Sequence, residues 1–284
     1  MTPAVAEASE PAHAKVNLGL SVLARRGDGY HEIETVVARL ALHDDVAVRL
    51  AGAGVQLAVE GAALPTGEDN LAVRAARAYL DAVGADAAGK TGVAIRLAKR
   101  IPVAAGLGGG SSDAAAVLRA LARLVPAPVD LIAVGSALGS DVPFFVADLP
   151  AALARGRGER LEPLTLPPLT LVLAFPAVAV SAAEAYRRVQ SFTPRLQPRK
   201  LLERLNAGRD PKLVNGLQPG VVREHKQIRE AIAALRAEGL RGAVMSGSGS
   251  CCLALADDAA AAEDAARRLQ AAHPDWTVLA TRTW

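Results

Sequence analysis

Aromatic residues are scarce in this chain: three Tyr, four Phe and two Trp make up 3% of its 284 residues. Proteins that bind single-stranded nucleic acids stack the bases on aromatic rings, so few rings leave little stacking surface. The formal net charge is only +3, although 26 of the residues are arginine. We therefore expect no nucleic-acid partner, and a small anionic substrate suits this mild charge better.

Cysteines and long apolar runs are also missing. The two cysteines, Cys251 and Cys252, are adjacent and have no Cys or His partner at metal-ligand spacing. A disulfide framework and a zinc site are therefore excluded, and we predict two buried strand residues. No stretch reaches the roughly 18 apolar residues of a membrane helix, and Glu7 and Glu10 interrupt the N-terminus, which has no signal-peptide pattern. We expect a cytoplasmic protein that does not contact membranes.

What the chain does have is enough apolar sequence, 51% of its residues, for a large core or two medium ones. A Gly/Arg-rich segment at 155–159 precedes Pro163, Pro167 and Pro168, which is typical of a connection between domains. We predict two domains, residues 1–161 and 162–284. In the second, two strand–helix–strand units predict a split βαβ sandwich. Its predicted strands are 169–175, 242–246, 252–256 and 277–282, and its predicted helices are 182–190, 199–205, 223–238 and 258–272.

The first domain shows mixed periodicity. Apolar and polar residues alternate over 12–24, which predicts a strand with Lys15 and Asn17 on its polar face. A second strand at 44–50 and a third at 55–59 predict a hairpin around 51–54. Further predicted elements are a helix over 70–83, a strand over 93–97, a helix over 130–138 that stops at Gly139, and a strand over 142–146.

Residues 102–112 form the most informative segment, because four glycines and two serines stand directly before an apolar helix predicted over 113–125. We predict that Gly106, Gly108, Gly109 and Gly110 take backbone angles closed to other residues and turn their N–H groups around an oxyanion. Ser111 or Ser112 would cap the helix, whose positive end would face the same anion. The alternative is a mobile linker, but a linker needs no cap.

A second segment, Gly84 to Thr91, matches the Gly-x-x-x-x-Gly-Lys-Thr phosphate-loop pattern letter for letter. Such a loop must follow a strand and open a helix, whereas here a predicted helix precedes it and a predicted strand follows. We interpret the match as accidental, with Gly84 as a helix C-cap and Lys90 as a solvated loop residue.

Four further features are ambiguous when taken singly. The polar face with Lys15 could be a solvated strand edge, and the neighbouring Tyr30 and His31 could be an incidental surface pair or a means of binding a nucleobase. Asp141 stands where a turn is expected, so it could serve only the turn. The Gly/Ser loop at 246–250 could be an ordinary hairpin turn or a close approach to a ligand.

Together these motifs resemble the GHMP kinases, which carry an N-terminal Lys strand, a Pro-x-x-x-Gly-Leu-Gly-x-x-Ser-Ser loop and a C-terminal Gly-x-Gly loop in this order. Within that superfamily, Asp28-Gly-Tyr30-His31, the triple glycine and Gly139-Ser-Asp141 are similar to one branch. That branch uses ATP to phosphorylate the 2-hydroxyl of 4-diphosphocytidyl-2-C-methyl-D-erythritol, a cytidine diphosphate ester of a methyl-tetritol on the non-mevalonate route to isoprenoid precursors.

The resemblance implies an α+β fold of two domains. The N-terminal α/β domain would hold a ribosomal-S5-like sheet with a left-handed type of crossover, and the C-terminal domain would be a ferredoxin-like split βαβ sandwich. It further implies a monomer or weak homodimer. Other GHMP kinases, of the homoserine or mevalonate type, and a catalytically silent nucleotide sensor on the same fold remain as alternatives.

The resemblance also implies residue roles. Asp141 would take the proton of the attacking hydroxyl, and Lys15 would sit against Asp141 and that oxygen, beside Mg²⁺ as cofactor. The implied ATP-binding residues are Asn70, Pro102, Val103, Ala104, Ala105, Gly106, Leu107, Gly108, Gly109, Gly110, Ser111 and Ser112. The implied substrate-binding residues are Asn17, Tyr30, His31, Ser181, Tyr186, Gly247, Ser248 and Gly249, with Tyr30 and Tyr186 on either face of the cytosine. Ala182 departs from a Thr usual in the family.

Overall fold

The computed structural model describes residues 6–84 and 92–284. The described chain divides into two compact units: unit 1 holds 6–14, 42–84, 92–103 and 108–149, and unit 2 holds 15–41, 104–107 and 150–284. Gly84 closes the helix before it, with a φ of 97° and its N–H bonded to the Leu80 carbonyl at 3.2 Å, as predicted. Lys90, in the pattern that we interpret as accidental, lies outside the described residues.

Two long strands, β1 (Glu7–Arg25) and β2 (His31–Leu50), pair with each other and contribute to both units. Unit 1 adds β3 (Val55–Glu60), α1 (Leu71–Val83), β4 (Val93–Ala98), α2 (Gly109–Leu124), α3 (Leu131–Leu138) and α4 (Val142–Val146). Strand β4 is antiparallel to the second half of β2 and parallel to β3, so α1 serves as the crossover between two parallel strands.

The predicted hairpin of β2 and β3 is therefore wrong, because β4 lies between the two strands. Burial explains the order: Val93, Ile95 and Leu97 of β4 are all buried, whereas β3 exposes alternate residues, as an edge strand does.

The strand predicted over 142–146 is also wrong, because these residues form helix α4. Pro143 stands in its first turn, where proline costs no hydrogen bond, and Phe144 and Phe145 are both buried. A short buried apolar run does not by itself distinguish a strand from a helix.

Unit 2 contains β5 (Ala151–Gly156), β6 (Arg160–Pro163), β7 (Thr170–Phe175), α5 (Ala182–Arg187), α6 (Pro198–Asn206), α7 (Gln218–Glu224), α8 (Lys226–Ala237), β8 (Arg241–Met245), β9 (Cys252–Ala256), α9 (Ala259–Ala272) and β10 (Thr277–Arg282). The last four strands form an antiparallel sheet in the order β10-β7-β9-β8. This is the order of a split βαβ sandwich and confirms that prediction. The one helix predicted over 223–238 is two helices, which meet at His225.

The core of unit 2 lies between this sheet and its helices, where residues such as Ile228, Leu235 and Met245 are completely buried. Each large side chain buried there contributes roughly 1.5–3 kcal/mol.

Cys251 and Cys252 are free and buried as predicted, and burial raises the pKa of both thiols. No helix among the described residues is long and apolar enough to cross a membrane.

Candidate functional site

The polar face of β1 is buried, which overturns the alternative of a solvated edge. Lys15 and Asn17 are only 5% and 6% exposed, and the Lys15 ammonium donates to Asn17 Oδ1 at 2.8 Å. Asn17 Nδ2 in turn donates to Thr35 Oγ1 at 2.7 Å, and Thr35 donates to the Gly19 carbonyl. A buried cation needs such partners. Asn17 therefore orients Lys15, and Thr35, which the sequence analysis missed, orients Asn17.

The Gly/Ser loop between β8 and β9 lies against this pair. A Cβ on Gly247 would stand 3.0 Å from Asn17 Oδ1 and 3.5 Å from the Lys15 ammonium, and its φ is 54°. The buried Ser246 hydroxyl accepts the Asn17 N–H at 3.2 Å. Asn215 Nδ2 holds the loop by donating to the Met245 and Gly247 carbonyls at 2.8 and 2.7 Å. The loop thus makes the close approach that its glycines allow.

The part of the glycine-rich segment that belongs to unit 2, residues 104–107, packs against the same loop. A Cβ on Gly106 would stand 2.8 Å from both the Ser246 and Gly249 carbonyls, and the φ of Gly106 is 75°. Only glycine fits there. The backbone N–H of Lys15 donates to the Leu107 carbonyl at 2.9 Å. Lys15 and the two glycine loops therefore form one hydrogen-bonded assembly in unit 2.

Two of the aromatic rings predicted to bind the substrate stack on each other. His31 stacks on Tyr186, with ring centroids 5.2 Å apart and planes 23° apart, so that Tyr186 meets His31. The Tyr30 ring is 57% exposed and lies under the Arg157 guanidinium at 5.0 Å. Burial, followed by the Arg25 charge, lowers the pKa of His31, which favours the neutral imidazole. Arg157 is a residue that the sequence analysis missed.

Two of the predicted binding residues have local structural roles. Ser181 caps α5, because its Oγ accepts the Glu184 N–H at 3.1 Å. Asn70 caps α1 by accepting the Ala72 N–H at 2.9 Å, and its amide donates to the Pro65 carbonyl at 2.8 Å. Each of these hydrogen bonds fixes the side chain in one orientation.

In unit 1 the glycine-rich segment runs directly into α2, which begins at Gly109. The predicted cap by Ser111 or Ser112 is wrong: Gly108, at a φ of 69°, is the N-cap, and both serines lie within the helix. Gly109 and Gly110 are helical, so only Gly106 and Gly108 have the predicted left-handed angles. The first N–H groups of α2 have no partner within the helix and can donate to an anion.

Three charged side chains, Lys99, Asp44 and Asp113, are buried beside this helix start. The Lys99 ammonium donates to Asp44 Oδ2 at 2.5 Å and to Asp113 Oδ2 at 2.8 Å. Burial raises the pKa of Asp113 to about 7, although Lys99 opposes the rise. Asp44 Oδ1 accepts the N–H of Ile101 at 2.8 Å, which anchors the chain just before Pro102. No local sequence pattern indicates this triad, because its members are far apart in the chain.

Asp141 directly precedes α4 and its side chain does not cap that helix. The turn before it lies close to the start of α2, since a Cβ on Gly139 would stand 3.9 Å from Ser111 Oγ. Unit 1 therefore brings the Asp141 turn and the serine end of the glycine-rich segment together. The described residues contain no group of three or more His, Cys, Asp or Glu side chains that could hold a metal ion.

The comparisons with known proteins show the family of this chain. The family model for the GHMP kinases N terminal domain matches residues 70–149, and that for the GHMP kinases C terminal matches 196–275. The 4-diphosphocytidyl-2-C-methyl-D-erythritol kinase of Deinococcus radiodurans is 48% identical over 95% of this chain and 91% of its own. The chain belongs to this family of GHMP kinases. The Thermus thermophilus enzyme of the same name is 47% identical over 93% of this chain and 94% of its own.

Solved structures support membership of the GHMP kinases and confirm the α+β, two-domain GHMP fold. A crystal structure of 4-(cytidine 5'-diphospho)-2C-methyl-D-erythritol kinase superposes with a TM-score of 0.87 at 45% identity, covering 97% of this chain and 98% of that one. A homoserine kinase from Cytophaga hutchinsonii superposes at 0.67 with 19% identity, covering 96% and 95%, and shares the fold alone. The protein is thus a small-molecule kinase whose phosphoryl donor is ATP.

Proposed function

We propose that this GHMP kinase transfers the γ-phosphoryl group of ATP to the 2-hydroxyl of 4-diphosphocytidyl-2-C-methyl-D-erythritol. The observation that carries the substrate assignment is the aromatic cluster of unit 2, where His31 stacks on Tyr186 and the neighbouring Tyr30 is exposed under Arg157. Flat aromatic surfaces and a neutral imidazole suit a pyrimidine base, which needs stacking and a hydrogen-bonding partner at its edge. Homoserine and mevalonate have no ring for such a cluster to bind.

At the phosphate end, residues 102–112 supply the N–H groups for ATP. The first turn of α2 offers unpaired donors and a positive helix end, and the triad holds the chain before Pro102 in place. We assign Asn70 to the nucleoside, as the family pattern implies. Its amide already caps α1, so it would meet the nucleoside in one fixed orientation.

The donor chemistry near α2 suits Mg²⁺, which prefers oxygen ligands and shares them with substrate phosphates. Ser111 offers a hydroxyl in the first turn of α2, close to the turn before Asp141. We assign Ser111 to hold Mg²⁺ together with the phosphate oxygens. When bound, the ion neutralises phosphate charge during transfer.

For the transfer itself, we assign Asp141 to accept the proton of the attacking hydroxyl. That oxygen forms a bond to the γ-phosphorus while the bond to the β-phosphate oxygen breaks and ADP leaves. Lys15, held by Asn17, balances the charge that builds up on the oxygen. Phosphoryl transfer depends mainly on positioning and charge stabilisation, so one carboxylate and one ammonium suffice.

Asn17, Ser181 and the loop Gly247–Gly249 complete the proposed substrate contacts. Asn17 and the loop lie directly beside the Lys15 ammonium, which supports this assignment. We further propose a cytoplasmic monomer or weak homodimer that does not bind nucleic acid. The two family models, which match on opposite sides of 161/162, support the proposed domain division there, although residues 15–41, 104–107 and 150–161 belong to unit 2.

A coupled assay of ADP release tests the proposal. The purified protein is offered ATP, Mg²⁺ and either the cytidine diphosphate ester, homoserine or mevalonate in separate reactions. We expect turnover with the cytidine ester alone. Equal or faster turnover of homoserine or mevalonate would contradict the substrate assignment, and absence of turnover with every acceptor would favour the silent sensor.

A further inference from the structure

Unit 2 contains a cavity of about 590 Å³ that none of the assigned catalytic or binding residues lines. Its walls come from the middle of β1, helix α6 with the segment before it, and the segment before α7. This volume lies within the range of about 300–1,000 Å³ that small-molecule sites occupy. Most of the lining is apolar; examples are Leu18, Leu20, Val36, Leu196, Leu201, Leu213 and Val214.

The charged residues at this cavity are all of one sign. Five basic residues line it and no acidic residue does: Arg195, Lys200, Arg204, Lys212 and Arg236. The three arginines already have partners, since Arg195 pairs with the Glu34 carboxylate at 2.5 Å and the other two donate to backbone carbonyls. The ammonium groups of Lys200 and Lys212 make no hydrogen bond or ion pair with any described residue.

Lys212 is also held in an unusual conformation. Its φ is 51°, in the left-handed region, and its N–H donates to Asp210 Oδ1 at 3.0 Å. Residues other than glycine rarely adopt such an angle, so the surrounding structure must hold Lys212 in it. This lysine, which has no ionic partner among the described residues, lines the apolar cavity.

An apolar cavity with unpaired cations at its wall is complementary to one kind of molecule. Lys200 and Lys212 are exposed, so water solvates their ammonium groups in the empty cavity. An uncharged apolar ligand would make no use of these charges, and a free anion would leave the apolar walls uncovered. A phosphate group has enough oxygen atoms to accept from both lysines and from the remaining arginine donors. We propose that this cavity is a binding site for a small amphipathic anion, an apolar chain that carries a phosphate group at one end.

Titration calorimetry with octyl phosphate, below the concentration at which it forms micelles, tests the proposal on the full chain. Octyl glucoside carries the same chain without the charge, and inorganic phosphate carries the charge without the chain. We expect saturable binding of octyl phosphate and at least about tenfold weaker binding of the other two, a difference of about 1.4 kcal/mol. Octyl glucoside or inorganic phosphate binding as tightly as octyl phosphate would overturn the proposal.

Variants locate the site. The double variant Lys200→Gln with Lys212→Gln should weaken octyl phosphate binding by about tenfold or more, and Val214→Trp should block it by filling the cavity. Lys226→Gln removes an exposed charge elsewhere in unit 2 and should bind as the unaltered protein does. Kinase turnover, which we expect to be unchanged in all these variants, shows that they are folded. Unchanged binding in both the double variant and Val214→Trp would refute the site.

Discussion

The buried carboxyl of Asp113 gives a quantitative prediction about stability and pH. Its pKa is about 7 in the folded protein, raised from the ordinary value of 3.8 mainly by burial. The folded state therefore holds this proton more tightly than the unfolded state does. The contribution of this proton to the free energy of unfolding is fully present below about pH 3.8. It is lost as the pH rises through about 7. Asp113→Asn replaces the carboxyl with a neutral group of the same shape and should remove this loss.

The magnitude follows from the pKa difference. One pKa unit corresponds to about 1.4 kcal/mol, so a rise from 3.8 to about 7 corresponds to about 4 kcal/mol. Because typical domains are stable by only about 5–15 kcal/mol, an effect of this size is readily measured. We expect the free energy of unfolding of Asp113→Asn, relative to the unaltered protein, to increase by up to about 4 kcal/mol between pH 4 and pH 7.

Urea unfolding at a series of pH values between about 4 and 8 measures this difference. Asp81→Asn is the matched control, because Asp81 is an exposed carboxylate on α1 of the same unit, and its curve should run parallel to that of the unaltered protein. If the difference between Asp113→Asn and the unaltered protein is constant across the series, Asp113 is not a buried carboxyl that titrates near neutrality, and the argument fails.

Three further predictions concern the site. Asp141→Asn should lower kcat by about 10²–10⁴ while calorimetry shows ATP binding unchanged; near-normal turnover would remove Asp141 from the mechanism. Gly106→Ala should raise the KM for ATP and lower stability, because its Cβ would stand 2.8 Å from two carbonyl oxygens. Gly27→Ala, whose Cβ would have no atom within 4 Å, is the control and should leave both unchanged. Tyr186→Ala should raise the KM for the cytidine substrate about tenfold or more and Tyr186→Phe should not; a selective loss of ATP affinity would instead assign the ring to ATP.

Much of the fold could be predicted from local pattern. The helix at 71–83 and its end at Gly84, the alternation along β1, and the strand and helix order of the second half all follow from periodicity and caps. The motifs around Lys15, the glycine-rich segment and Asp141 were sufficient to identify the family, since they are contiguous in the chain. Local pattern therefore determined most of the helices and strands and the family, but it missed β5 and β6 and assigned α4 to a strand.

Tertiary structure alone decided how those elements pair and what surrounds each charged group. Strand β4 enters between β2 and β3 because its side chains need burial, which no local pattern of β2 or β3 shows. Asn17 meets Thr35 on the next strand, and Lys99 meets Asp44 more than fifty positions away. A buried charge needs a partner, but the partner can come from anywhere in the chain, so its identity emerges only when the distant segments pack together.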